Sequence, residues 1–345
     1  MRCMCHIVPE KVLKRLAQDR SYSADQRKNF ADTVKIDVEL RKLRTQAGKL
    51  TRVASLIAGP VVAEAVAPPP TIPVFDCNQG QTLPGAQVTN PAGSSNATAK
   101  RAFVETTSVA AFYAQVFGRN SIDGAGMSMI SSVHYGVNYN NAFWNGSQMT
   151  YGDGDGSIFA DFTKGNDVIG HELTHGVTQY SLQLNYTNEA GGLNESMSDC
   201  FGTMFRQWEA NQDVNQADWL IGTDIMGPAA LQKGLTCLRD MANPAAKHCL
   251  APQPTKFSQY KTGMDPHESS GIPNLAFYTI AKAVGGKSWD KVGQIWYRSM
   301  TGFGPTPAMK MKAFANRTRT VTAQLYAGDS AVAGAVDAGW NKVGL

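Results

Sequence analysis

Two stretches near the N-terminus carry apolar side chains at helical spacing: Val12, Leu13 and Leu16 after Pro9, then Ile36, Leu40, Leu43 and Ala47 with Arg and Lys between. Residues three or four apart share a helix face, so each stretch predicts a helix with one side to bury; proline is tolerated in the first helical turn. Residues 58–73, including Pro68-Pro69-Pro70 and Pro73, predict a stiff, extended, exposed connector where a protease can cut. From Ile72 to about Asp161, Gly, Asn, Ser, Thr and aromatics come with frequent turn signals, which predicts short strands in hairpins around one helix at 106–117. From Asn166 onward helical periodicity dominates, over 166–182, 194–210, 272–285, 288–300, 307–324 and 329–341. The expected fold class is α+β: a helical segment with its linker over 1–60, a β-rich lobe over 61–165 and a mainly helical lobe over 166–345.

Composition narrows the classes of function. The 345 residues are 43% hydrophobic and 17% charged, enough apolar content for two or three compact cores. No run of 18 or more uncharged apolar residues occurs, so no membrane span is expected. Charges at Lys11, Lys14 and Arg15 break the order of a conventional secretory signal, so either export by another route or a cytoplasmic location is expected. The net charge of +4 hides an asymmetry: residues 1–52 hold 13 Lys+Arg against 6 Asp+Glu, which leaves 19 against 22 for the rest. Without aromatic or Gly-rich interleaving the basic segment does not read as a nucleic-acid binder; a cationic segment lying over an anionic cleft fits better. The six cysteines are scattered and form no CxxC pair, although Cys237 and Cys249 could bridge in an oxidising compartment.

The candidate chemistry centres on His171-Glu172-Leu173-Thr174-His175. On a helix His171 and His175 lie on one face about 5–6 Å apart and can share a tetrahedral ion, while Glu172 points beside it. A catalytic zinc needs a third protein ligand and an open position. Glu195 is the candidate, following an expected turn at Ala190-Gly191-Gly192 that folds a helix from Asn194 back against the first. Asp199, four residues on, can accept the free ring N–H of His171 and fix its tautomer.

Asn140-Asn141-Ala142-Phe143-Trp144-Asn145-Gly146, Tyr151-Gly152-Asp153-Gly154-Asp155-Gly156, the His171 to His175 motif, Gly192-Leu193-Asn194-Glu195-Ser196-Met197-Ser198-Asp199 and His267-Glu268-Ser269-Ser270-Gly271-Ile272 occur in an order that resembles the thermolysin-like zinc metalloproteases. The resemblance covers roughly residues 72–345 and, with the short basic N-terminal segment, points to the protealysin-like branch. It implies a monomeric endopeptidase acting on peptide or protein substrates, with the zinc site in a cleft on the central helix and a helical propeptide in front. Under it Glu172 is the general base for the attacking water, Tyr186 and His267 are the donors to the developing oxyanion, and Asp265 orients His267. Asn141 and the Ala142 carbonyl match the clamp on the substrate backbone, and Arg239 matches the arginine on the leaving side. Phe159, Phe162, Val168, Ile221 and Leu238 match the apolar pocket for the residue after the cut. Cleavage before bulky hydrophobic residues follows, since burying such a side chain contributes about 1.5–3 kcal/mol.

The family often carries a double calcium site built from five carboxylates. Only Asp167 and Asp218 stand at matching positions here, with Arg206, Leu220 and Thr223 in place of the others. Two carboxylates facing an arginine do not hold two Ca²⁺ ions, so the site is expected to be absent and Arg206 to pair with Asp167, Asp218 or both. Asp153 and Asp155 read as tight-turn residues. Cys5, beside His6 and ahead of a helix start, is the candidate for a thiolate that caps the zinc and keeps the precursor latent; Cys3 is the second choice. Two rival readings remain: a catalytically inactive zinc-containing peptide-binding or regulatory protein, and a zinc exopeptidase. Intact Glu172 and His267 argue against the first, and a substrate edge open on both sides against the second.

Overall fold

The computed structural model describes residues 5–55 and 68–345, with the side chains of 44–55 excepted. Cys3 and most of the expected connector lie outside the described residues. After a short strand β1 (Cys5–His6), Pro9 starts α1 (Glu10–Gln18), whose Val12, Leu13 and Leu16 are buried, and α2 (Ala24–Ser55) packs against it. This matches the two helices that the spacing predicts.

The next part of the chain contributes β2 (Val74–Asp76), β3 (Ala86–Gln87), α3 (Ala97–Phe117), β4 (Ile130–Val133), β5 (Ala142–Trp144) and β6 (Gln148–Tyr151). Helix α3 starts nine residues before the expected 106, because Asn96 caps it by accepting the Ala99 N–H at 3.0 Å. It ends at Gly118, whose φ of 65° suits glycine. The strands form one sheet in the order β1-β5-β6-β4-β2-β3. The expectation of hairpins is corrected in part: β5–β6 and β2–β3 are antiparallel, but β2–β4 and β4–β6 are parallel. Helix α3 lies between β3 and β4 in the chain and packs on β2 and β4, supplying the long crossover that a parallel pair requires. Outermost, β1 adds the N-terminal segment to the edge strand β5.

The helical lobe contains α4 (Asn166–Gln179), α5 (Asn188–Glu209), α6 (Pro228–Gln232), α7 (Pro266–Ser269), α8 (Gly271–Val284), α9 (Lys291–Thr301), α10 (Met311–Leu325) and α11 (Ser330–Val343), with a two-stranded ribbon of β7 (Leu220–Ile221) and β8 (Arg239–Asp240). Helices α4 and α5 pack most intimately. A Cβ on Gly202 of α5 would sit 2.6 Å from the Asp167 carbonyl of α4, so glycine is required for this approach. The expected turn at Gly191-Gly192 is corrected: α5 begins at Asn188 and both glycines lie inside it. A Cβ on Gly192 would meet Ser269 Oγ of α7 at 2.4 Å, so the residue serves close packing and not chain reversal. The C-terminal helices close around Trp296 and Trp340, stacked with centroids 5.8 Å apart.

Where α3 meets the end of α5, burial and then the Glu209 charge push the Glu105 carboxyl from 4.5 up to about 7. Between those pH values the folded chain keeps a proton that the unfolded chain has released, so this group lowers stability as pH rises through the window. Glu105→Gln is expected to leave the Tm unchanged near pH 4 and to stabilise above pH 7 by about 1–2 kcal/mol, allowing for solvent screening. Equal shifts in thermal melts at both pH values would contradict this account.

Candidate active site

Helix α4 presents His171 and His175 on one face, and α5 presents Glu195 and Asp199 opposite, because the glycine contact brings the two axes together. The two Nε2 atoms are 3.1 Å apart, and the Glu195 oxygens lie 3.4 Å from each. For a tetrahedral ion with bonds of about 2.0–2.1 Å, ligand atoms stand about 3.3–3.4 Å apart. The three residues form a group whose donor atoms lie within 4.8 Å of one another. Glu195 Oε2 and Glu172 Oε1 are buried without hydrogen-bond partners. Glu172, Glu195 and Asp199 are fully buried against one buried guanidinium, Arg239. Orphaned carboxylate oxygens facing two imidazoles in a dry site are what a divalent cation resolves, so these residues fit zinc.

Surrounding groups orient the donors. His171 Nδ1 lies 2.8 Å from Asp199 Oδ1, and His175 Nδ1 lies 2.8 Å from Asn194 Oδ1. Asp199 also accepts from Arg239 Nε at 2.9 Å and Nη2 at 2.7 Å, and from Asn274 Nδ2 at 2.8 Å. Burial opposes ionisation of Asp199, but Arg239 and His171 outweigh it and hold the carboxyl down at about 2. Burial, helped by the His171 and His267 charges, drives His175 down to about 3, whereas Asp199 and Glu195 overcome burial at His171 and raise it to about 9. Burial raises Glu172 well above the carboxylate range; its Oε2 accepts the Trp144 N–H at 2.9 Å.

His267 caps the cleft from α7. Its Nδ1 lies 2.8 Å from Asp265 Oδ1, and Asp265 also accepts the His267 N–H at 2.9 Å, so one carboxylate caps the helix and orients the ring. The Tyr186 hydroxyl donates to Glu195 Oε1 and lies 3.2 Å from His267 Nε2. His171, Glu172, His175, Tyr186, Glu195, Asp199, Arg239, Asp265 and His267 thus lie together where α4 meets α5 and α7. Phe159, Phe162, Val168, Ile221 and Leu238 are buried in one cluster, with Leu238 N donating to the Ile221 carbonyl at 2.8 Å.

Cys5 is a correction. It is disulfide-bonded, it pairs as a strand residue with Trp144, and it is not in the ligand group. The backbone of the next residues enters the cleft instead. The His6 carbonyl lies 2.6 Å from His267 Nε2, and the Ile7 N–H donates to the Ala142 carbonyl at 3.2 Å. Arg239 Nη1 donates to the Ile7 carbonyl at 3.1 Å, and Asn141 takes the Val8 N–H at 2.9 Å and gives to its carbonyl at 3.1 Å. Sequence reading also missed Asp37 of α2. This fully buried carboxylate accepts from the Tyr139 hydroxyl and Asn141 Nδ2 (2.9 Å) and lies 3.2 Å from His6 Nε2. Its signal was an acid set between Ile36 and Val38, among the apolar positions of that helix.

Cys237 and Cys249 face each other as free thiols, not as a bridge. Arg206 lies 3.8 Å from Asp167 and 3.9 Å from Asp218, as expected, but its short partner is Asp224 at 2.6 Å. Among the described residues no helix is long and apolar enough to cross a membrane.

Comparison with known proteins agrees with this geometry. The family model of the thermolysin metallopeptidase catalytic domain matches residues 62–179, and that of the thermolysin metallopeptidase alpha-helical domain matches residues 182–345. The chain is 38% identical over 283 residues to an extracellular metalloprotease of Pectobacterium carotovorum subsp. carotovorum, covering 79% of this chain and 80% of that protein. It is 40% identical over 245 residues to a thermolysin of Alicyclobacillus acidocaldarius subsp. acidocaldarius, covering 68% of this chain and 43% of that longer protein. The solved precursor of protealysin, a metalloproteinase from Serratia proteamaculans, superposes with a TM-score of 0.82 at 34% identity, covering 99% of each chain. With a two-histidine, one-glutamate group in the cleft and an N-terminal segment paired with β5, this chain belongs to the thermolysin family, on its protealysin-like branch, and is a metalloendopeptidase.

Proposed function

We propose that this chain cuts internal peptide bonds on the N-terminal side of bulky hydrophobic residues and is made as a latent precursor. In this reading 1–60 is propeptide and linker, 61–165 the β-rich lobe and 166–345 the helical lobe. The observation that carries it is the seating of His6, Ile7 and Val8 on His267, Ala142, Arg239 and Asn141. A substrate in the same register has its scissile carbonyl where the His6 carbonyl lies and its next side chain where Ile7 is buried, in the main apolar core to which Phe159, Phe162, Val168, Ile221 and Leu238 also belong. Latency then comes from occupancy of the cleft by a strand, with no thiolate ligand needed. Export from the cell fits the extracellular relative.

Each side chain takes a role from its position. Zinc held by His171, His175 and Glu195 supplies Lewis acidity and lowers the pKa of water towards about 7. Glu172 accepts the proton of the attacking water. Its anchored Oε2 leaves Oε1 as the free acceptor. His267 and Tyr186 donate to the developing oxyanion, a contribution of about 10²–10³ in rate for each well-placed donor. Asp265 fixes the His267 ring and Asp199 the His171 tautomer. Arg239 and Asn141 hold the strand on the leaving side.

Digesting end-blocked peptides with the matured protein, and mapping the cuts by mass spectrometry, tests the specificity. Internal cuts before Leu, Ile or Phe are expected. Cuts before polar residues, trimming from free ends only, or no turnover would overturn it.

The calcium reading is also a proposal: Arg206, paired with Asp224 and facing Asp167 and Asp218, fills the space of a double calcium site. Chelating calcium with a reagent that spares zinc is expected to leave the melting temperature unchanged. A large fall would sink it.

A further inference from the structure

A second set of soft donors gathers outside the cleft. The Cys237 and Cys249 sulfurs lie 3.7 Å apart, and one ring nitrogen of His248 is within 4.8 Å of both. Backbone pairing fixes these residues: Thr236 N donates to the His248 carbonyl at 3.0 Å, Leu250 N to Cys237 at 2.9 Å and Ala251 N to Leu238 at 3.0 Å. The two segments therefore run parallel with Cys237 opposite Cys249. His248 is oriented as well. Its Nε2 lies 3.2 Å from Asp240 Oδ2, while Asp240 Oδ1 accepts the N–H groups of Ala242 and Asn243 at 2.8 and 2.9 Å. A backbone-anchored carboxylate behind a histidine is the usual support for an imidazole ligand. Both cysteines are buried beneath Ala246 and Leu220, and the His248 side chain is 40% exposed.

Two thiolates on one tetrahedral zinc, with bonds of about 2.3 Å, stand about 3.8 Å apart. A disulfide requires about 2.05 Å. We propose that Cys237, Cys249 and His248 form a second metal site, for zinc or another thiophilic closed-shell ion, whose fourth position opens to solvent beside His248. Each thiol releases its proton as the ion binds. The ion closes the loop from 237 to 249 and clips it to the strand that continues into Leu238 and Arg239. Arg239 is fully buried and holds both Asp199 and the Ile7 carbonyl, so the site braces one wall of the cleft.

The test uses the full chain carrying Glu172→Gln, which keeps all three ligands of the first site and is not expected to trim itself. Reduced protein in metal-free buffer is titrated anaerobically with Co²⁺ alone. A sulfur-to-cobalt charge-transfer band in the near ultraviolet is expected, with one equivalent bound beyond that of the first site. Adding Cys237→Ser and Cys249→Ser should abolish both the band and that equivalent. Should that chain fail to fold, His248→Ala alone, which keeps both thiols, is expected to weaken the band-forming site at least tenfold. No thiolate band in the folded, reduced parent overturns the proposal, as does a band that survives loss of both cysteines or an affinity that His248→Ala leaves unchanged.

Discussion

Replacing Glu172 by Gln is expected to lower kcat/KM of the matured protein by a factor on the order of 10²–10⁴ while leaving its zinc content unchanged. The amide keeps the size of the carboxylate and can still accept the Trp144 N–H that Glu172 Oε2 accepts at 2.9 Å. It lacks a group that takes a proton. His171, His175 and Glu195 are untouched, so metal content measured by elemental analysis separates loss of the base from loss of the ion. The general-base assignment fails if hydrolysis of a blocked peptide stays within a few-fold of the parent at equal zinc content. A full loss of metal would mean instead that Glu172 supports the site structurally.

The second large effect is expected from Asp37→Ala in the uncut precursor, where peptidase activity should rise on the order of 10²-fold. Asp37 joins the N-terminal segment to the cleft: it is fully buried, accepts from Asn141 Nδ2 at 2.9 Å and from the Tyr139 hydroxyl, and lies 3.2 Å from His6 Nε2. Removing one partner from such a buried cluster typically costs 2–5 kcal/mol of association, because the remaining groups lose their acceptor while still shielded from water. Asn141 also clamps Val8 through both of its backbone groups, so loosening it should release the strand that fills the cleft. In the proposed maturation Asp37 leaves with the propeptide, so the matured variant is the same molecule as the matured parent. Initial rates on a fluorogenic peptide, with intact mass checked by mass spectrometry, give the answer. Unchanged precursor activity would show that the segment is not held through Asp37.

Much of the site is legible in short-range spacing. A period of 3.6 residues puts His171 and His175 on one face of α4, with Glu172 beside them, and Glu195 and Asp199 on one face of α5, without reference to the rest of the chain. His267 and its carboxylate Asp265 are two residues apart at a helix start, and the buried faces of α1 and of the C-terminal helices follow the same periodicity. For that reason the helices lie near their expected positions.

What sequence could not decide depends on contacts between residues far apart in the chain. Gly191 and Gly192 read as a turn, because the reason for having no Cβ there is the approach of α7 some 75 residues later. Parallel pairing of β2 with β4 depends on a crossover that turn signals do not report. Arg206 finds Asp224 in place of its expected carboxylates as its short contact, a choice set by the loop after β7. The N-terminal segment shows the difference most clearly. Its basic charge and cysteines pointed to a thiolate over the metal, but strand pairing of Cys5 with Trp144 fixes the register and places the His6 carbonyl at His267. The sequence by itself put His171 and His175 a turn apart on one face, and Glu195 and Asp199 a turn apart on another, so the candidates for the ion and the proton were legible before the fold. Only the tertiary structure decided what lies in the cleft, because a strand's register is set by the edge it joins.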